Sequence, residues 1–325
     1  MKFGPDLPSR TSIVVAALRA FGAREPDPSV RNPDSLAERL LTAAELDLIT
    51  EHPVAAALKQ DYQKARQVRE VAGMSNLMLV RTRYIDERMQ RALEEGATQV
   101  VILGAGFDTR AYRFAEQLRR KKIFELDYES TQAFKKRRLI DVFGSLPEHV
   151  RFTEIDFKRD NLGGVLAAAG YERSEKTFFI WEGVSMYLSE DAVRETLRTI
   201  SNYSVKGSSL VMDFAERASI DMLQKLPQLS QHNYTTHWGE PWIFGVPDMR
   251  EREFFLECGL TLREILRFFG PETAKRYLTR SDGTRFGNTR GGPPMRRVLT
   301  TTLRFIWMLL TRRSRWYALA DLVVQ

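Results

Sequence analysis

Only one of the 325 residues is cysteine, Cys258, which excludes an intramolecular disulfide and any multi-thiolate zinc or iron–sulfur site. Cys258 sits before a glycine at a helix end and reads as a packing residue, not a nucleophile. Histidine is nearly as scarce. The four, His52, His149, His232 and His237, include no pair spaced as ligands on one helix face, so no metal is expected. Long hydrophobic runs are missing too. The richest, residues 303–310, is broken by Arg304 and falls far short of the roughly 20 residues that cross a bilayer. Residues 1–12 lack the basic segment, apolar core and small-residue site of a secretory signal, so the chain reads as cytoplasmic. With 43% hydrophobic and 28% charged residues the composition is that of a soluble globular protein, long enough to form a core without covalent staples.

Charge is unevenly placed. The net charge is +7, yet thirteen Lys+Arg against four Asp+Glu lie from Thr261 onward, so the last fifth of the chain carries the whole basic excess. Such a block suits an anionic partner, a membrane surface or a solvated face. Within it, residues 296–315 hold Leu299, Leu303, Phe305, Ile306, Trp307, Met308, Leu309 and Leu310, too many for one helix stripe. Arg296-Arg297 and Arg312-Arg313 with Arg315 bracket them, a pattern of helices resting in a membrane interface. This segment is expected at the substrate entrance, with peripheral membrane contact through 296–315. A helix buried on all sides is the competing reading.

The first 97 residues read as a helical N-terminal cap. Residues 12–21 form an apolar stretch closed by Gly22. Asp34 or Ser35 caps a helix carrying Leu36, Leu40, Leu41, Ala44 and Leu48, and a further helix covers residues 77–95. From Thr98 apolar runs alternate with helical segments: 100–103, 123–126, 150–155, 178–181, 210–214 and, more weakly, 260–266 and 317–324. That alternation predicts an α/β, doubly wound sheet with helices on both faces, residues 98–325 forming the catalytic domain. Residues at about 216–250 and 270–315 read as substrate-lid insertions. In such sheets ligands bind outside the carboxyl ends of the strands, where the strand order reverses.

The strongest local feature is a buried strand running into Gly104-Ala105-Gly106, followed by Phe107-Asp108-Thr109 and a helix. The glycines allow a tight turn and close approach of a ligand to the backbone. A dinucleotide site wants a third small residue where Thr109 stands, so S-adenosylmethionine, which has no phosphate, suits the turn better. Asp127 ends the next strand, 23 residues after Gly104, near the spacing of an acid that accepts from ribose hydroxyls. Helix capping is the plainer role for Asp127. Asp156 and Glu182 end two further strands. Three successive strand-end acids beside one glycine turn make a site.

The ordered blocks RTRYID, VVILGAGFDTRAYRF, FELDYESTQAFKKRRL, FTEIDF and FFIWEGVSMYLSEDAV resemble the leucine carboxyl methyltransferase-type family of class I S-adenosylmethionine-dependent methyltransferases, and more narrowly its bacterial small-molecule O-methyltransferase branch. They run from about Arg81 to Val193, with Arg31-Asn32-Pro33 resembling that branch's N-terminal segment. The resemblance implies a Rossmann-like, seven-stranded, mostly parallel sheet. It implies that Arg81 binds the cofactor's carboxylate, with Arg83 as the alternative. It also places the Gly104-Ala105-Gly106 turn under methionine and ribose, Asp127 on the ribose, Asp156 and Phe157 beside adenine, and Glu182 near the amino group. Asp108 and Arg110 either join the site or organise the turn.

The resemblance thins in the C-terminal third, where the acceptor is chosen. A carboxylate acceptor needs no base, whereas a hydroxyl calls for a His or an acid. Candidates that could face the acceptor are Tyr187 and, in the aromatic, polar stretch 231–242, His232, Tyr234 and His237. The function expected is methyl transfer to a carboxylate or hydroxyl of a small, hydrophobic molecule. Competing readings are a protein C-terminal carboxylate, a modified tRNA and a non-enzymatic cofactor-binding scaffold. No RNA-binding module is visible, which argues against nucleic acid.

Overall fold

Each of the seven apolar runs coincides with a strand: β1 (Gln99–Leu103), β2 (Lys122–Asp127), β3 (Val150–Glu154), β4 (Thr177–Trp181), β5 (Ser209–Ala215), β6 (Leu260–Arg267) and β7 (Tyr317–Val324). The structure is a computed structural model that describes residues 7–225, 236, 238–287 and 316–325. The strands form one sheet in the order β3-β2-β1-β4-β5-β7-β6. The first five are parallel, and β7 runs antiparallel to both β5 and β6. This is the mostly parallel, doubly wound sheet that the alternation of elements predicts.

β1 and β4 lie at the centre and are buried at every position. Helices cover both faces of the sheet, so these strands read as continuous apolar runs instead of alternating ones. Val101, Leu103, Phe179 and Trp181 pack on one face. Val100, Ile102, Phe178 and Ile180 pack on the other, against Tyr84, Ile85 and Met89 of helix α2 (Arg69–Glu94). The strand order reverses between β1 and β4, which opens a crevice beyond their carboxyl ends.

Helix α1 (Arg10–Ala23) begins at Ser9, whose hydroxyl accepts from the Ser12 amide at 3.2 Å. It buries Ile13, Ala17, Leu18 and Phe21 against Leu40, Ile49, Val54 and Leu58, a third cluster beside the sheet. The single helix expected around residues 36–48 is instead a 3₁₀ turn (Ala37–Leu40) and a short α-helix (Ala43–Asp47). Leu41 is extended, and Thr42 with Glu45 forms a capping box that starts a new helix. α2 also starts earlier than residue 77. Gly73, Ser75 and Asn76 weaken its helical pattern, yet Ser75 and Asn76 are buried in it and tertiary packing decides.

After β5 the chain forms the helix Arg217–Lys225 and later returns over the β4 loop. There the Ile243 and Phe244 amides donate to the Met186 carbonyl at 2.8 and 3.2 Å. No helix among the described residues is long and apolar enough to cross a membrane. Residues 296–315 lie outside the described residues.

The helix α3 (Glu129–Phe143) is fixed to β2 by a buried ion pair, Lys135 Nζ to Glu125 Oε2 at 2.6 Å, each side chain 1% exposed. The Tyr112 hydroxyl donates to the other Glu125 oxygen at 2.9 Å. Removing one partner strands the other charge in the core. Lys135→Met is therefore expected to cost about 3–5 kcal/mol in denaturant unfolding. Adding Glu125→Gln should recover part of that loss. A single-variant loss below about 1 kcal/mol would show the pair to be hydrated.

Candidate functional site

Residues just beyond β1, β2 and β4 line a cavity of about 720 Å³, which residues of α1 and Gly239, Glu240, Pro241 and Ile243 also line. Its floor is the glycine turn. Gly104 and Gly106 take left-handed φ of 67° and 43°, and the Gly104 and Ala105 amides donate to the Leu126 carbonyl at 2.8 and 3.0 Å. A Cβ at Gly104 would sit 2.2 Å from Val184 Cγ2, so the bare backbone lets the β4 loop close over the turn. A Cβ at Gly106 would approach Ser12 Cβ of α1 to 3.1 Å.

Asp127 is half-buried at the cavity wall, and its carboxylate accepts from the Gly106 amide and, at 2.7 Å, from the Tyr128 amide. Burial pushes its carboxyl above the usual range, against the pull of those two donors. Beside it, Phe157 and Lys158 line the cavity, as does Tyr128. Asp156 is not among the lining residues. Its carboxylate accepts from the Tyr128 hydroxyl at 2.8 Å, the Lys158 amide at 2.9 Å and Arg159 at 2.7 Å. Its bonds to Tyr128 and Lys158 hold two residues that do line the cavity.

The opposite end is ionic. Arg81, on α2, places Nε 2.8 Å from Glu182 Oε1 and Nη1 3.0 Å from Asp213. Arg110 Nη1 binds the other Glu182 oxygen at 2.7 Å, and its Nε binds Asp86 at 2.7 Å. Asp108 pairs with Arg110 and also accepts from the Arg110 amide at 2.7 Å, so both organise the turn, and Asp108 reaches the cavity wall as well. Burial alone would raise the Glu182 carboxyl, but Arg81 and Arg110 outweigh it and hold it at about 2. Arg83 is spent on the backbone, donating to the Ser29 and Arg31 carbonyls at 2.7 and 2.9 Å, and does not line the cavity.

Three residues that the sequence reasoning passed over take part. Asp213, fully buried near the end of β5, accepts from the Gly183 amide at 2.7 Å and from the Tyr317 hydroxyl, which also meets Arg81 at 3.1 Å. Asp213 lies inside the apolar run of β5, so the strand-end rule that found Asp127 does not reach it. Arg19, within the apolar pattern of α1, lines the cavity, donates to the Phe107 carbonyl at 2.6 Å and pairs with Asp34 at 2.8 Å. No sequence signal distinguishes it from a surface arginine.

Among the acceptor candidates, Tyr187 lines the cavity, its hydroxyl pushed well up by burial and by the nearby Glu240 carboxylate. His232, Tyr234 and His237 lie outside the described residues. His52 caps a short helix and His149 meets the Ala111 carbonyl at 3.2 Å, both structural positions. Cys258 is buried, 2% exposed.

These donors fit S-adenosylmethionine. A carboxylate already oriented by two amides has lone pairs left for vicinal hydroxyls, and the Arg81–Glu182 pair offers opposite charges to an amino-acid zwitterion.

The sequence model of the family described as leucine carboxyl methyltransferase matches residues 12–201. A Mycolicibacterium smegmatis protein, provisionally named an S-adenosyl-L-methionine-dependent methyltransferase, is 35% identical over 203 residues, covering 62% of this chain and 65% of the relative, just under two thirds of it. A similarly named Bacillus subtilis protein is 30% identical over 218 residues, covering 64% and 71%. Among solved structures, the magnesium protoporphyrin IX methyltransferase of Synechocystis superposes with a TM-score of 0.43 at 10% identity, over 76% of this chain and 85% of that one.

Two outcomes follow from the geometry. Asp127→Ala should weaken S-adenosylhomocysteine binding by about 1.5–3 kcal/mol in calorimetry, with the circular dichroism spectrum kept. Unchanged affinity would reduce Asp127 to a turn former. Glu182 is a carboxyl depressed on folding, so its stabilisation is present above the unfolded value of 4.5 and is lost as pH falls toward about 2. Glu182→Gln should therefore flatten the acid limb of stability against pH, and an unchanged limb would assign that limb to other acids.

Proposed function

The chain belongs to the leucine carboxyl methyltransferase family, and on that premise we propose that it is an S-adenosylmethionine-dependent O-methyltransferase acting on a hydroxyl or carboxylate of a small, apolar molecule. One observation carries the reading: the glycine turn, Asp127, Arg81 and Glu182 line a single cavity at the reversal of strand order. Asp127 would hold the ribose hydroxyls, Phe157 and Tyr128 would stand beside the adenine, and Glu182 would receive the amino group. Arg81 would receive the carboxylate while Asp213 and Tyr317 keep its guanidinium in plane.

The bound cofactor supplies an electrophilic methyl on a sulfonium. What remains for the protein is to align the acceptor and exclude water. α1 and Gly239, Glu240, Pro241 and Ile243, which line the cavity, would do the excluding.

The apolar character of the substrate is supported at the mouth. Leu7, Tyr128 and Ile243 are 40–45% exposed large hydrophobic residues, and all three line the cavity. Val15, Val184 and Leu188 continue that surface inward. Such a mouth suits a ligand with an apolar body. A role for residues 296–315 at this mouth or on a membrane is part of the same proposal.

The test is calorimetry with S-adenosylmethionine and S-adenosylhomocysteine. Binding of both is expected, together with transfer of an isotopically labelled methyl into an organic-soluble fraction of cell extract. Binding of neither overturns the reading.

A further inference from the structure

Of the three cations that line the cavity among the described residues, two stand at its ionic end and one beside Asp127. Arg81 and Arg19 stand at the ionic end, held by Glu182, Asp213 and Asp34, and Lys158 stands at the adenine wall. The cavity also carries a further carboxylate. Glu240 lines the cavity, and its two oxygens accept from the Ser9 hydroxyl at 3.2 Å and from the Thr11 hydroxyl at the start of α1. The charged and titratable groups around it are Asp127 and Lys158 on one side and Tyr187 on the other. Glu240 lines the same cavity as Leu7 and Ile243, the exposed apolar residues of the mouth.

We propose that Glu240 sets the acceptor class: the pocket takes a hydroxyl, phenolic or alcoholic, on an apolar body and excludes carboxylates. A hydroxyl can donate its hydrogen bond to the Glu240 carboxylate. A carboxylate has no proton to donate and meets a like charge in a half-enclosed space, where repulsion costs several kcal/mol. Lys158 faces Glu240 as well, but the Asp127 carboxylate beside it outweighs that charge at Glu240. Burial also lifts the Glu240 carboxyl above its ordinary range, so the group gains from any donor brought to it. Glu240, Ser9 and Thr11 all fall outside the residues 12–201 matched by the family model. The cofactor half can therefore follow the family while acceptor choice departs from it.

This inference rests on the methyltransferase reading, and a paired binding experiment keeps the two apart. Calorimetry with S-adenosylhomocysteine comes first, and its failure sinks the general reading. On the loaded protein, para-heptylphenol and para-heptylbenzoate share one tail and differ only in the reacting group. The phenol should bind at least about tenfold tighter than the benzoate. Glu240→Gln should tighten the benzoate about fivefold or more, the phenol changing less, whereas Glu240→Asp, which keeps the charge, should preserve the discrimination. Equal affinities in the unaltered protein, no binding of either probe, or a discrimination ratio that Glu240→Gln leaves in place would overturn the assignment. So would loss of S-adenosylhomocysteine affinity in Glu240→Gln, because it would put the carboxylate on the cofactor side.

Discussion

The site depends on one buried arrangement, Glu182 held between the guanidinium groups of Arg81 and Arg110. Three charges this far from water are costly unless each is paired and hydrogen-bonded, and here the pairing spreads outward. Arg110 also holds Asp86 and Asp108, Arg113 joins Asp86 to Asp34, Asp34 holds Arg19, and Asp213 with Tyr317 completes Arg81. Its members come from α1, the 34 loop, α2, the turn after β1, and the ends of β4 and β5. The network therefore ties the N-terminal helices to the sheet through directional contacts. Apolar contacts between α2 and the sheet supply more of the burial but less directional specificity.

Much of the fold was legible in the sequence because buried parallel strands are short apolar runs with punctuated ends, and all seven lie where such runs occur. The N-terminal helices were less legible. The break at Leu41 comes from the Thr42–Glu45 capping box, a local hydrogen-bond competition inside an otherwise helical apolar spacing. The early start of α2 reflects the burial of Ser75 and Asn76, polar residues enclosed by tertiary packing. Asn76, for instance, accepts from Arg66 at 2.6 Å.

The site divides in the same way. Gly104, Asp127 and Glu182 could be read because each ends a strand at a fixed place in the alternation, and such ends converge at the order reversal. Asp213 lies two residues before the end of β5, inside the apolar run, where a buried acid carries no strand-end signal. Arg19 and Glu240 could not be read that way. They reach the cavity from a cap helix and from an insertion, and a lone arginine or glutamate there carries no period or spacing. Asp156 stands just past a strand end too, but it is set behind the lining residues, where its carboxylate accepts from Tyr128, Lys158 and Arg159.

That division has a physical consequence for how acceptor choice can change. The cofactor side is built from parallel strand ends whose geometry the sheet register dictates, and altering Glu182 or Asp213 would disturb the ionic network that docks the cap. The acceptor side is built from Leu7, Ser9 and Thr11 before the family-matched residues and from Glu240, Pro241 and Ile243 after them. These meet one another across the cavity through the Ser9–Glu240 and Thr11–Glu240 contacts, and among the described residues they reach the rest of the site through the Ser9 amide on the Thr131 hydroxyl at 3.3 Å and the Ile243 amide on the Met186 carbonyl at 2.8 Å. A substitution on that rim leaves the ionic network intact and costs little beyond its own contacts. Acceptor chemistry can therefore change by exchanging a few side chains on two chain segments, while the methyl-donor half stays fixed by the charges beneath it.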